Sequence, residues 1–208
     1  MITMLNFERT YDNFDNEKIK VDTLPSEFSA ILTWQTSEEI KEKNKREVDC
    51  DIFSVFLSDE LFSGDKADIV YFARTEHQSG AIKFIEDPVD SDGNLRKSLK
   101  FKLKKIPENY DQIIIGVNIY EAKKRNQSFA DMQNASVRLI VDDAETEIHY
   151  FDLTQDYSGK TSIYLADLKR ENEDWIFNPI EIGSTDAYIE DFAQQFTEKK
   201  EQVKKENC

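Results

Sequence analysis

Asp49 and Asp51 stand on either side of Cys50 in VDCDIFSVFL, where a charged run gives way to an apolar one. Side chains alternate faces along an extended chain, so the two carboxylates share a face and Cys50 points away. Two like charges so placed raise each other's free energy unless a cation or a donor compensates. A hard cation such as Ca²⁺ takes roughly six to eight oxygens, and a carboxylate pair on a strand end can anchor such a shell. Alternatively the pair simply solubilises the strand entrance, and spacing alone does not choose between the two. A second acidic stretch, EDPVDSDGN, gathers Glu86, Asp87, Asp90, Asp92 and Asn94 around Gly93, with Pro88 restricting the backbone. Those letters write either a cation loop or a tight turn, and the turn is the simpler reading. Asp142 and Asp143 read as the tip of a hairpin.

Enzymatic chemistry is harder to assemble. The only histidines are His77 and His149, and neither stands beside a GxSxG or reactive-cysteine signature; no glycine loop could cradle a phosphate. Nucleophilic catalysis and nucleotide hydrolysis are therefore disfavoured, and no catalytic residue or organic cofactor site is expected. A metal-dependent hydrolase built on Asp49 and Asp51 lacks a supporting histidine or lysine motif. His149 falls in a strand and reads as structural, His77 in a loop as exposed, and Cys50 as a small core residue.

These residues need a scaffold, and the apolar pattern predicts one. Short β-branched and aromatic runs recur about every ten residues, the rhythm of an all-β sandwich. Nine strands are expected, at 28–34, 50–57, 68–72, 99–103, 112–119, 136–141, 147–153, 162–168 and 175–181. DIFSVFL and IIIGVNIY are apolar on both faces, which marks strands buried on two sides. Lys97, Lys100, Lys102, Lys104 and Lys105 interleave with Leu99, Phe101 and Leu103 and read as the outer face of an edge strand, guarded by charge against edge pairing. The run 37–47 is expected to be a solvated loop or short exposed helix. From Ser184 onward, Ile189, Phe192, Phe196 and Val203 at near-helical spacing predict an amphipathic helix with a fraying end. The domain boundaries are thus a sandwich over 1–183 and a helical tail over 184–208.

The chain has 208 residues, with 27 Lys plus Arg against 42 Asp plus Glu, a net charge of −15 and a pI near 4.6. A nucleic-acid partner is disfavoured, because phosphate binding needs a concentrated basic surface. Cys50 and Cys208 form no framework of bridges and no zinc spacing, which suggests a reducing compartment. Without a signal peptide or a long apolar run, a soluble cytoplasmic protein with no transmembrane segment is expected.

The stretch 113–183 closely resembles the C-terminal half of the TerD family of tellurium-resistance and general stress proteins, above all in IYEAKKRNQSFADMQNASVRL, then in YFDL, LADLKR and WIF. Upstream, DCDIFSVFLSD and DIVYFAR are similar to two further family strands, so the resemblance covers about 28–183. It implies a two-sheet β-sandwich that binds Ca²⁺ through acidic loops and has no firmly attached enzymatic activity. It assigns Asp49 and Asp51 as ligands, with Glu121 at the family's acidic position in the IYEA segment. The family's glycine-rich ligand loop is replaced by HQSGAIKFIEDPVDSDGNLRK, in which Asp87, Asp90, Asp92 and Asn94 are substitute oxygens. The opening and the tail after Gly183 lack the family's pattern. Two functions follow: a Ca²⁺-binding stress module acting on protein partners, such as other Ter-type stress proteins, or a metal-free scaffold in which Arg96 and Lys97 are the counter-charges. Homo-oligomerisation through the C-terminal helix is a further expectation.

Overall fold

The computed structural model describes residues 24–42, 46–87, 89–90, 92–141, 146–154 and 157–206, with 198–206 as backbone only. Cys208, Pro88, the 142–143 pair and the Val203 side chain lie outside these described residues. Among the described residues, ten strands form two antiparallel five-stranded sheets. Sheet A has the order β4 (Ile82–Asp87), β5 (Leu95–Lys102), β1 (Glu27–Thr36), β7 (Met132–Val141), β8 (Thr146–Asp152). Sheet B has the order β10 (Asp174–Ser184), β9 (Ser162–Glu171), β6 (Gln112–Ile119), β2 (Cys50–Leu57), β3 (Ile69–Val70).

Period-two alternation sorts the side chains into two cores. Between the sheets lie Phe28, Leu32 and Trp34 of β1, Leu99 and Phe101 of β5, and Cys50, Ile52 and Phe56 of β2. The opposite faces of β2 and β6 present Phe53, Val55, Leu57 and Ile114 to a second core, closed by Ile189, Phe192, Ala193 and Phe196 of helix α3 (Ile189–Glu206). This double burial explains the runs that are apolar on both faces. The helix is therefore integral to the fold, where the sequence pattern suggested a tail. Gly116 on β6 makes the close packing possible, since a Cβ there would collide with the Phe53 ring and meet the Ile163 carbonyl.

Three expectations change. β4 is a strand absent from the nine expected, so Glu86 and Asp87, expected in a loop or turn, close a ladder against β5. β3 covers only two residues, and its neighbours form turns and bridges. β5 lies between β4 and β1, so its lysines do not guard an edge. The run 37–47 contains a short helix, one of its two expected forms, α1 (Glu38–Glu42), pinned by Ile40, only 3% exposed, and a single helical turn, α2 (Ala122–Arg125), follows β6.

Candidate functional site

Asp49 immediately precedes β2 and Asp51 is its second residue; the Asp49 carbonyl accepts from the Tyr120 N–H at 2.8 Å. Their carboxylates converge on the Lys97 ammonium: Nζ is 2.7 Å from Asp49 Oδ1 and 2.7 Å from Asp51 Oδ1. Lys97 reaches them because it faces inward from β5, in register with Leu32 and Glu86 and on the same face as Leu99 and Phe101. Its Nζ also stands 5.5 Å from the centroid of the Trp34 ring, whose Nε1 donates to the Val48 carbonyl. Lys97 and Asp51 are buried, whereas the Asp49 side chain is 45% exposed.

The electrostatics follow from that burial. Loss of solvent pushes the Asp51 carboxyl up to about 6 against the attraction of Lys97. Burial also works against the Lys97 charge, but Asp51 and Asp49 outweigh it and hold the ammonium above its ordinary pKa. The Cys50 thiol is pushed well up by burial and then by Asp51, which leaves it an inert core group. A cleft of about 190 Å³ opens beside Lys97, lined by Trp34, Glu47, Val48, Asp49, Glu86, Asp87, Leu95 and Arg96.

The other expected ligands do not join this pair in a common shell. Asp87 accepts from Ser98 Oγ at 2.9 Å and lies 3.4 Å from Arg96 Nε, so Arg96 balances Asp87 and not the pair at 49 and 51. Asp90 Oδ1 accepts from the N–H groups of Asp92 and Asn94, its Oδ2 accepts from Asn94 Nδ2, and Gly93 takes φ +80. Those bonds from Asn94 hold the Asp90 carboxyl below its usual range. This stretch is thus a self-closed turn, tied to β1 by Gln35 Nε2 donating to the Asp92 carbonyl. Glu121, at φ 52, accepts from Lys124 at 2.9 Å and lies 3.5 Å from Arg125, which together lower its pKa. A Ca²⁺ shell does not fit this arrangement: an ammonium stands between the anchoring carboxylates, and the Asp87, Asp90 and Glu121 carboxylates are engaged with other donors. No group of three or more His, Cys, Asp or Glu among the described residues is placed to hold a metal ion.

His77 corrects a second expectation, because it is buried and not exposed. Its ring stacks on Phe56 at 4.0 Å, Nδ1 contacts Ser79 Oγ at 2.7 Å, and Nε2 lies 4.0 Å from Asp68 Oδ1. The trio has the residue types of a hydrolytic triad, but its bonds close its own turn: the Ser79 N–H also donates to Nδ1, and the Ala81 N–H donates to Ser79 Oγ. Asp68 is held by Tyr110 and Ser63. His149 packs against Phe151 and Phe177, the structural role expected.

The strand pattern groups Lys97 with solvent-facing lysines, while the metal-free alternative makes it, with Arg96, a counter-charge; the structure places Lys97 on the pair. The available signal was parity, since Lys97 shares the odd positions with Leu99 and Phe101, whereas Lys100 and Lys102 do not.

The TerD domain family matches residues 15–196, extending past the expected 28–183 at both ends and into α3. Stress response protein SCP2 of Bacillus subtilis (strain 168) is 29% identical over 150 residues, 72% of this chain and 75% of that protein. Chemical-damaging agent resistance protein B of Clostridium acetobutylicum is 35% identical over 56% of this chain and 84% of its own length. Tellurium resistance protein TerD of Serratia marcescens is 34% identical over 62% of this chain and 69% of its own. A solved structure of a telluride resistance protein (TerD) homologue, SCO6318 from Streptomyces coelicolor A3(2), superposes with a TM-score of 0.62 over 77% of this chain and 91% of that one, at 18% identity, a likeness of fold. With a matching domain over most of its length and a two-sheet sandwich to carry it, the chain belongs to the TerD family of tellurium-resistance and general stress proteins.

Proposed function

We propose that this protein is a non-enzymatic stress-response module that acts through protein contacts, and that the Lys97 ammonium holds its carboxylate pair in place of a divalent ion. The observation that carries the reading is the 2.7 Å contact of Lys97 Nζ with both Asp49 and Asp51. An internal ammonium neutralises most of the like-charge cost at any ion concentration, so the loop end of the sandwich is organised constitutively. The relatives' names, resistance to tellurium and to chemical damaging agents and stress response, support the stress context. The commitment of His77 and Ser79 to a local turn supports a binding role over catalysis.

The test is a calorimetric titration of chelator-treated protein with Ca²⁺, with Mg²⁺ as competitor, alongside thermal melts. No saturable heat and an unchanged Tm are expected. Micromolar binding with a raised Tm would overturn the reading in favour of a Ca²⁺ module, since a ligand confined to the native state must stabilise it. That second reading draws on the exposed side of Asp49, which faces the cleft with Glu47 and Glu86.

A further inference from the structure

His77 is a buried titratable group with unspent hydrogen-bonding capacity. Its ring stacks on Phe56 of β2 and stands edge-on to Tyr110 at 5.7 Å. The segment that carries it runs along the outer edge of β4: the His77 N–H donates to the Ile82 carbonyl at 3.1 Å, and the Phe84 N–H to the Thr75 carbonyl at 2.7 Å. The turn that follows is closed by the Gly80 N–H on the His77 carbonyl, with Gly80 at φ +68, and by the ring itself. Because the Ser79 N–H donates to Nδ1 at 3.2 Å, that nitrogen holds the lone pair and the neutral ring carries its proton on Nε2. Nε2 finds no hydrogen-bond partner among the described residues. Asp68, in the turn Lys66–Asp68 before β3, stops 4.0 Å short of it, with Oδ1 taken by the Tyr110 hydroxyl at 2.6 Å and Oδ2 by Ser63 Oγ at 2.5 Å.

A proton taken up from acid solution must therefore enter at Nδ1, where it turns the acceptor of the Ser79 N–H into a second donor. The turn loses a closing bond, and the Ser79 hydroxyl, 2.7 Å away, is left to accept from the ring. The new charge also attracts Asp68 across its gap. We propose that His77 is a proton-operated latch: protonation at Nδ1 releases the 77–80 turn at the edge of β4 and draws the Lys66–Asp68 turn toward Nε2. The groups that face the ring set the direction. Asp68 favours the cation, and Phe56 carries no charge. The Tyr110 hydroxyl stays protonated, its pKa pushed up to about 12 by burial and then by Asp68, with Asp65 acting from further off. On the turn itself Glu76 lies 3.8 Å from Lys83, and Glu76 Oε1 and Lys105 Nζ both flank Gly80, so these charges offset one another. Burial outweighs Asp68 and keeps the ring neutral until the solution is mildly acidic. The latch does not depend on the Lys97 reading.

Nitrogen-15 NMR of the full chain, titrated from about pH 8 to about pH 5, reads the ring tautomer, the His77 midpoint and the amides together. Nδ1 should be unprotonated at the alkaline end, and the midpoint should lie below about 6.5. Protection of the Ser79 and Gly80 amides, corrected for intrinsic exchange, should fall about tenfold through that midpoint, while the Phe192 amide of α3 keeps its protection. Asp68→Asn should lower the midpoint by about one pH unit. Tyr110→Phe frees Asp68 Oδ1 to meet the ring and should raise it, and either variant serves if the other misfolds. An Nδ1–H tautomer in the neutral ring, a midpoint that neither variant moves, or Ser79 and Gly80 amides that respond only to global unfolding would overturn the proposal. Amide changes that follow the His149 midpoint instead would overturn it as well.

Discussion

Asp51 depends on Lys97 for its counter-charge, so Lys97→Met is expected to cost about 3–5 kcal/mol by stranding a buried carboxylate. The double variant Lys97→Met/Asp51→Asn should recover much of that loss, and urea denaturation of the three proteins measures it. His77 supplies a pH prediction. Burial lowers its pKa in spite of Asp68, so the unfolded chain takes up the proton more readily than the native state. Its stabilising contribution is complete above the unfolded value, about 6.5, and is lost as pH falls toward the depressed native pKa. The His77 contribution should therefore fall as pH drops below about 6.5, opposed by Asp51, whose native carboxyl is raised to about 6 and takes up a proton more readily than in the unfolded chain. His77→Gln should flatten that slope while keeping the portion due to His149, whose pKa is lowered in the same sense. At this scale the sequence showed the convergence of Asp49 and Asp51, because strand alternation is local. It offered Lys97 only beside Arg96, as one alternative to a metal ion, because the choice depends on Lys97 arriving from the other sheet, 46 positions from Asp51.

Helix α3 closes the second core, and Phe192 is its central contact, with Phe53 and Tyr164 at 5.1 Å and 5.9 Å between ring centroids. Phe192→Ala should cost about 3–5 kcal/mol. Asp186 secures the approach to the helix, accepting from Ser184 Oγ at 2.5 Å and Gln195 Nε2 at 2.6 Å, while its carbonyl accepts from Thr161 Oγ1. Asp186→Ala should detach the helix start before the sandwich melts, seen as early loss of amide protection in 189–196 by hydrogen exchange. The apolar spacing made the helix legible; its place on the sheet B face follows from the second apolar stripes of β2 and β6. β4 went unread because IKFIED has only three apolar residues, of which just Ile82 and Phe84 alternate, and runs straight into acids. Its strand state comes from pairing with β5, a non-local bond that propensity does not contain.

Across the whole molecule a charge of −15 means self-repulsion in the compact state. Added NaCl should raise Tm on balance, because the screened repulsion outweighs exposed pairs such as Arg138 with Glu147. Scanning calorimetry from low to physiological salt checks this, and a falling Tm would show that the surface ion pairs dominate. No helix among the described residues is long and apolar enough to cross a membrane.

Alternation, helical spacing and an ordered motif run are written along the chain, and from them the sandwich class, the two doubly buried strands, the C-terminal helix and the family are legible. Tertiary structure alone decided that α3 belongs to the core, that β5 is interior, that His77 is buried and that Lys97 sits between Asp49 and Asp51. Each of those facts is a contact between segments distant in sequence. A one-residue difference in strand parity, which composition does not register, separates a solvated lysine from an internal cation.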